Sequence, residues 1–245
     1  MKDMPKTKKE TKPAVPVIKS APLRKRGLLF ELENVAVGGH QVVFDTIKKH
    51  VADKGAKLTP VLFSRYILTG PLKDGLGALL EFLGKGRVSA DKLASDVMED
   101  VKAALLKESL AIAPGLKKIL KRAAEERVAV GVLSCLDRDT ATQLVGRMKQ
   151  DSEITTILPY ACDGKSHPSP DAWLKLARMM SLVPGACVAL STSALSCKAA
   201  IASNVRCVVI PDQFTRFEDF GGADHVAETL DDTASDRIFS LLEDR

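Results

Sequence analysis

Long apolar runs and targeting signals are missing from this chain of 245 residues. No apolar run approaches the ~18 residues of a membrane-spanning helix, so we expect no transmembrane segment. The amino-terminal stretch lacks the apolar core of a secretory signal peptide, and it is rich in Lys and Pro where transit peptides favour Arg and Ser. These absences predict a cytoplasmic protein that does not act at a membrane.

Aromatic residues and paired cysteines are also scarce. Aromatics make up 4% of the chain while hydrophobic residues make up 45%, so the core is expected to consist mostly of Leu, Val, Ala and Ile. The five cysteines form no C-x-x-C pair. Their odd number and irregular spacing predict reduced, buried thiols rather than a disulfide framework.

Positive charge is concentrated in residues 1–26. This stretch holds nine Lys or Arg against Asp3 and Glu10, a net charge of +7, so the rest of the chain carries −2 of the total of +5. Its four prolines and weak apolar periodicity predict a disordered or polyproline-like tail. The tail fits a solubilising segment or a weak polyanion-binding arm. The lack of interleaved aromatics favours the first interpretation.

From residue 127 onward, short apolar runs alternate with amphipathic segments. Strands separated by one helix each predict right-handed crossovers and a parallel sheet, and near-continuous apolar strands predict that helices cover both faces. The expected fold is therefore a doubly wound α/β sheet. The predicted strands are 127–134, 154–160, 186–191 and 205–212, and the predicted helices are 138–150, 169–183, 193–203 and 232–244.

The first predicted strand, 27–32, lies nearly 100 residues before the second, and the stretch between them has helical patterns. We therefore predict an all-helical cap at 40–110, inserted into an α/β core formed by 27–39 and 111–245. Ligands of open α/β sheets bind at the carboxyl ends of the strands, which such a cap would cover. The predicted cap helices are 40–55, 59–68, 71–84 and 89–108.

Polar residues follow the predicted strands where the strand ends should meet in one crevice. The first strand ends in Glu31 and Glu33 within "ELENV", and the second ends in Ser134 within "VGVLSC". The remaining candidates come from "DGKSHPSPD", before the 169–183 helix, and from "LSTSALS", after the 186–191 strand. They are Lys165, His167, Ser191 and Thr192.

This ordered set resembles the haloacid dehalogenase superfamily, in its phosphoglucomutase-like subgroup with a helical cap after the first strand. The resemblance covers about residues 27–230 and implies a Rossmann-like core. In that family, "ELENV" corresponds to Asp-x-Asp-Gly-Thr, Ser134 to a Ser or Thr, "HPSPD" to Lys-Pro-x-Pro-Asp, and "STSALS" to an acidic pair followed by Ser. The resemblance implies that these positions once served phosphoryl transfer with Mg²⁺.

The residues at these positions depart from that chemistry. Glu31 replaces an Asp nucleophile, His167 stands where the Lys belongs, and Ser191 and Thr192 stand where acidic metal ligands belong. Neutral hydroxyls compensate little of the charge of Mg²⁺, which prefers carboxylates in octahedral geometry. We therefore expect a degenerate member that binds a small polar ligand in the core–cap crevice, acts as a binding or regulatory module and needs no cofactor.

An active hydrolase remains the alternative, with Glu31 as nucleophile or base, Glu33 as general acid, and Mg²⁺ only in that case. The resemblance also places three cap residues, Tyr66, Thr69 and Gly70, where related caps contact substrate.

Simpler interpretations remain open for several residues. Glu31 and Glu33 fit solvated positions at a strand end, and Ser134 fits a residue that binds a loop amide. Asp137 fits a helix N-cap better than a ligand. Asp212 could donate a carboxylate from a strand end, whereas His40 and His50 have no partner at metal-ligand spacing.

Overall fold

A computed structural model of the chain describes residues 26–148, 154–159 and 167–243. Six parallel strands form one sheet in the order β3-β2-β1-β4-β5-β6. The tail at 1–25 and Lys165 lie outside the described residues, so the predictions made for them stay predictions. The strands are β1 (Gly27–Glu31), β2 (Ala129–Ser134), β3 (Ile154–Pro159), β4 (Cys187–Ser191), β5 (Arg206–Val209) and β6 (His225–Val226).

Helices cover both faces of this sheet, which confirms the predicted doubly wound α/β fold. Buried side chains of α6, α7 and α10 pack with Leu28 and Phe30 on one face, and those of α8 and α9 pack with Leu29 on the other. The helices are α1 (Leu32–Val37), α2 (Gly39–Ala52), α3 (Pro60–Tyr66), α4 (Leu72–Phe82), α5 (Ala90–Leu105), α6 (Pro114–Glu125), α7 (Arg138–Gly146), α8 (Pro170–Met179), α9 (Ala194–Ala202) and α10 (Asp232–Glu243).

Four of these helices, α2–α5, form the cap that the sequence predicts between β1 and β2. Their buried residues belong to the same hydrophobic cluster as Leu28 and Phe30, so the cap and one face of the sheet share a continuous core. The cap is therefore packed onto the sheet. The exact boundaries at residues 39, 110 and 111 stay predictions.

The starts of several helices were predicted correctly, and side-chain N-caps explain three of them. Ser89, Asp137 and Ser169 each accept a hydrogen bond from a backbone amide of the first helical turn, at 3.3, 2.9 and 3.3 Å. Such side chains satisfy amides that have no partner within the helix, which is why these residue types are favoured there. The N-cap interpretation of Asp137 is confirmed.

Three details differ from the predictions. The first strand ends at Glu31 and α1 begins at Leu32, so Glu33 lies in a helix rather than at the strand end. Leu32, Val35 and Ala36 are buried at helical spacing, and Gly38, with a φ of 63°, ends the turn in the left-handed conformation that glycine tolerates. Strand β5 ends at Val209 rather than 212.

The third difference is the short sixth strand, β6, which the sequence did not predict. It has two residues and pairs with β5 at the edge of the sheet. Two residues are too few to produce an alternating pattern.

Within the part of the chain described, no helix is long and apolar enough to cross a membrane.

Candidate functional site

The candidate site lies at the carboxyl ends of β1, β2 and β4. The strand order changes direction between β1 and β4, and such a switch point is where open α/β sheets bind ligands. We call five residues here the buried polar centre, because their exposed fractions do not exceed 5%. They are Glu31 (2%), Glu33 (5%), Ser134 (0%), Ser191 (0%) and Thr192 (3%).

Glu33 and Ser134 form the best-defined contact of this centre. The Ser134 hydroxyl donates a hydrogen bond to Oε1 of Glu33, and the Cys135 amide donates to Oε2 at 3.4 Å. The Ser134 oxygen also accepts from the Leu136 amide at 3.1 Å, so the loop-amide interpretation of Ser134 is correct but incomplete. Cys135 is half-buried, whereas the prediction for the cysteines was burial.

Burial raises the pKa of Glu33 above its ordinary value of 4.5. The hydrogen bonds from Ser134 and Cys135 act in the opposite direction, and the neighbouring Glu31 carboxylate adds to the rise. The desolvation of the carboxylate outweighs its hydrogen bonds. Glu33 therefore holds a proton to a higher pH than an exposed glutamate does.

Glu31 and Thr192 each present a buried oxygen that is not hydrogen-bonded. Oε2 of Glu31 accepts a long hydrogen bond of 3.4 Å from the Asn34 amide group. Oε1 of Glu31 and Oγ1 of Thr192 have no hydrogen-bond partner among the described residues. An unsatisfied buried polar group costs about 1–3 kcal/mol, so both oxygens are candidate contacts for a small ligand or a water molecule. Solvated positions for Glu31 and Glu33 are ruled out by their burial.

The hydroxyls of Ser191 and Ser193 form hydrogen bonds within the loop between β4 and α9. Ser191 Oγ lies 3.2 Å from the Ser193 carbonyl, to which it donates, and 3.3 Å from the Ser193 amide, from which it accepts. Ser193 in turn caps α9 by accepting from the Ser196 amide at 3.3 Å. The Ser191 hydroxyl is therefore committed to shaping the turn that leads into α9.

Magnesium does not fit the side chains gathered here. Glu31 and Glu33 are both supplied by the β1–α1 segment, and β4 adds hydroxyls instead of carboxylates. Among the described residues, no group of three or more His, Cys, Asp or Glu side chains could hold a metal ion. The donor set lacks the converging carboxylates that this ion prefers.

The other predicted site residues within the described part of the chain lie before α8 and in the cap. His167 is half-buried and precedes the Ser169 N-cap of α8. In the cap, the Thr69 hydroxyl donates to the Arg65 carbonyl at 3.2 Å, and the Tyr66 ring lies 5.6 Å from that of Phe82. Gly70 follows directly in the chain. These contacts lie within the cap, and substrate contact by Tyr66, Thr69 and Gly70 stays a prediction.

A second polar cluster was missed by the sequence analysis. Nδ1 of His40, at the start of α2, lies 2.6 Å from Oδ2 of Asp212, which follows β5. His50 also has an acidic partner, Asp100, at 2.9 Å. The sequence analysis considered these histidines only as metal ligands and did not predict either acidic partner, because the partners are 172 and 50 positions away in the sequence.

Two carboxylates of this cluster have opposite pKa shifts. Burial raises the pKa of Asp212, but the hydrogen bond and charge of His40 and the Phe214 amide outweigh it, so that the net pKa is lowered. Burial raises the pKa of Glu218, and the Ala194 amide, which donates to Glu218 Oε2 at 2.6 Å, only partly offsets it. In the sequence, only its position in a Pro-Asp pair at the end of a predicted strand indicated a role for Asp212. No local pattern indicated a role for Glu218.

Comparison with known proteins agrees with the predicted fold. No protein-family profile matches the chain. A CBBY-like protein of Arabidopsis thaliana is 25% identical over 228 residues, which cover 86% of this chain and 71% of that protein.

Two solved structures have the same fold. CbbY from Rhodobacter sphaeroides, in complex with xylulose-1,5-bisphosphate, superposes with a TM-score of 0.69 at 18% identity and covers 84% of this chain and 95% of its own. A β-phosphoglucomutase from Clostridium difficile gives a TM-score of 0.68 at 14% identity, over 88% and 98% of the two chains. Together with the sequence match, the parallel sheet and the helical cap, these similarities show a haloacid dehalogenase-like fold and support a relationship of this chain to that superfamily.

Proposed function

We propose that this protein has lost the magnesium-dependent phosphatase or phosphomutase chemistry of its relatives and acts as a binding or regulatory module. The replacement of acids by Ser191 and Thr192 at the end of β4 carries this proposal. A phosphoryl group brings several negative charges, and the two carboxylates of Glu31 and Glu33 would repel it without a metal ion between them.

The length of the Glu31 side chain supports the same conclusion. One additional methylene moves a reacting oxygen by about 1 Å, and a misplacement of that size can reduce a reaction rate by about 100-fold. The Glu33 carboxylate accepts hydrogen bonds from Ser134 and Cys135 and has a raised pKa. Nucleophile, metal ligands and cation are all altered together, which makes retention of the original reaction hard to reconcile with the site.

The unpaired oxygens indicate the kind of ligand that the buried polar centre would bind. Oε1 of Glu31 accepts hydrogen bonds only, and Oγ1 of Thr192 can accept or donate one. A small neutral or cationic molecule with hydroxyl or amino groups would satisfy both atoms. An anionic phosphate ester would not, because it offers mostly acceptors.

A phosphatase assay tests this proposal directly. Purified protein is incubated with p-nitrophenyl phosphate across pH 5–9 (roughly the range in which His and perturbed carboxyls titrate), with and without Mg²⁺. We expect no turnover above that of a Glu31→Ala variant. Turnover that requires Glu31 would contradict the loss of chemistry.

A restored variant provides the matched control. It carries Glu31→Asp, Glu33→Asp, His167→Lys, Ser191→Glu and Thr192→Asp together. Magnesium binding by calorimetry and phosphatase activity in this variant alone would show that the scaffold can still support the chemistry and that the native side chains cannot.

One observation favours an alternative, an active hydrolase with altered chemistry. The raised pKa of Glu33 suits a general acid, and the unpaired Oε1 of Glu31 is free to act as nucleophile or base. This alternative predicts a pH-dependent hydrolysis of a neutral substrate that both Glu31→Gln and Glu33→Gln abolish. Loss of activity in only one of the two variants would argue against the paired roles.

The basic tail adds a separate, weaker proposal. Residues 1–26 carry a net charge of +7, which fits salt-sensitive binding to a polyanion. Deletion of 1–25 should abolish retention on heparin at low salt. Unchanged retention would leave the solubilising role as the explanation of the tail.

A further inference from the structure

One segment of the core, Asp212–Glu218, contacts the cap more closely than its position after β5 suggests, and we call it the latch segment. At its start, Asp212 bonds to His40 of α2 with 2.6 Å between Oδ2 and Nδ1. The next residue, Gln213, donates from its amide group to Gln41 Oε1. Because the His40 side chain is only 10% exposed, the Asp212–His40 pair is better protected from solvent than a surface ion pair.

The same segment also binds the third helix of the chain, α3. The Ser64 hydroxyl donates to the Phe214 carbonyl at 2.8 Å. The Phe214 ring lies 5.1 Å from Phe44 and 4.7 Å from Phe63, between centroids, and these two cap rings lie 5.4 Å apart. This aromatic cluster buries a core residue between two cap helices, which is the kind of contact that dominates packing energies.

Hydrogen bonds within the latch segment stabilise its turn. Oδ1 of Asp212 accepts from the Phe214 and Thr215 amides at 2.8 and 3.2 Å, and the Thr215 hydroxyl accepts from the Asp212 amide at 3.0 Å. Thr215 is fully buried. Oδ1 of Asp212 therefore stabilises the turn, while Oδ2 binds His40 of the cap.

At its far end the segment is fastened to the core beside the buried polar centre. Glu218 Oε2 accepts from the amide of Ala194, the first residue of α9 and the second after Thr192. The segment thus connects two cap helices to the loop that follows β4.

On its other flank, at α5, the cap is joined to the core by different contacts. There, Lys102 of α5 bonds to Asp137 at 2.8 Å, and both side chains are more than 40% exposed. Arg147 reaches the Leu105 carbonyl at 3.1 Å and the Glu108 carbonyl at 3.4 Å. This flank has an exposed ion pair and the Arg147 hydrogen bonds, where the other has a pair with one buried partner, His40, and three packed rings.

We propose that the latch segment Asp212–Glu218 holds the cap closed over the buried polar centre and controls access of a ligand to it. The five residues of the centre are at most 5% exposed, so a ligand can reach them only when the segments packed around them separate. The proposal deepens the proposed function, because it describes the regulation of the same site. Its test below requires no ligand.

Hydrogen–deuterium exchange of the full chain tests the latch. The reporters are the amides of 31–36 and of Cys135 and Leu136, which lie at the centre but outside the latch segment. The amides of Val188–Leu190, in the middle of β4, report global unfolding. In a His40→Leu variant we expect reporter exchange to accelerate at least about 5-fold relative to Val188–Leu190, since Asp212 loses its cap partner.

Ser64→Ala, a milder change, should accelerate the reporters about 2-fold or more and guards against a misfolded His40→Leu variant. Lys102→Met is the matched control, because it removes a cap–core contact on the exposed flank, and we expect reporter exchange within 1.5-fold of wild type there. The proposal is overturned if neither latch variant accelerates the reporters, if Val188–Leu190 accelerate equally, or if Lys102→Met has the larger effect. Absence of ligand binding would contradict the proposed function alone and would leave these exchange rates unaffected.

Discussion

The ends of β1 and β4 lie side by side in the sheet, yet they differ in what they bury. Strand β1 leads into two carboxylates, Glu31 and Glu33, while β4 leads into two hydroxyls, Ser191 and Thr192. The register pairs Phe30 with Leu190, so the difference begins at adjacent positions. Because only β1 supplies acids, the site lacks the carboxylates from two strands that would favour a divalent metal ion.

The largest expected effect comes from returning an acid to β4. Ser191→Asp places an uncompensated charge at a fully buried position beside Glu31, and we expect it to lower the free energy of unfolding by about 3–5 kcal/mol. Thermal or urea unfolding measures the loss. Mg²⁺ should recover part of it in the variant and should leave wild type unchanged. Stabilisation of wild type by Mg²⁺ would show that the native donors already bind the ion.

A smaller effect is expected at the β1 side when Glu33 loses its hydroxyl partner. Ser134→Ala should cost about 1–3 kcal/mol, because a buried carboxylate loses a hydrogen bond that no solvent replaces. Ser203→Ala is the control, since Ser203 is equally buried and donates only to the Ala200 carbonyl at 2.6 Å. Equal losses of stability in the two variants would mean that Ser134 has no special relation to Glu33.

The pH dependence of stability tests Glu33 itself. Its pKa in the folded state lies above the ordinary value of 4.5, so its contribution to stability is most favourable below pH 4.5 and is lost as the pH rises towards the folded pKa. Each pKa unit of this difference is worth about 1.4 kcal/mol. Glu33→Gln should remove the decline, so that the variant gains stability relative to wild type as the pH rises above 4.5. A constant difference between the two proteins across this range would contradict the raised pKa.

The smallest effect is expected on the hydroxyl side. Thr192→Val removes a buried oxygen without a hydrogen-bond partner in the described structure and keeps the side-chain shape, so we expect a change between zero and a gain of about 1 kcal/mol. Thr140→Val should instead lose about 1 kcal/mol, because the Thr140 hydroxyl donates to Asp137 at 2.9 Å. A clear loss in Thr192→Val would indicate that Oγ1 has a bound partner such as an ordered water.

Most of the fold could be predicted because its signals are local. Apolar runs marked five of the six strands, and Ser89, Asp137 and Ser169 stand where helices require a side-chain cap. The two-residue strand β6 was missed because it has no periodicity and exists only by pairing with β5. The start of α1 directly after Glu31 was also missed, since its six residues make fewer than two turns and are too few to produce a clear helical periodicity.

The candidate site was predictable in its positions but less so in its physical properties. Strand ends and motif order located Glu31, Glu33, Ser134, Ser191 and Thr192. Their complete burial was not predicted, and for Glu31 and Glu33 a solvated strand end had remained open. The partners of His40, Asp212 and Glu218 were missed as well, because each contact joins segments that are far apart in the sequence.

By itself, the sequence determined the alternation of strands and helices, the helical insertion and the two hydroxyl residues at the end of β4, because hydrophobic periodicity, capping residues and side-chain types are properties of short segments. Only the tertiary structure decided that Glu33 has a raised pKa and that Asp212–Glu218 fastens the cap. Both depend on which groups surround a side chain and exclude water from it. Those surroundings form only when segments more than 100 residues apart, such as those of Glu33 and Ser134 or of His40 and Asp212, are packed together.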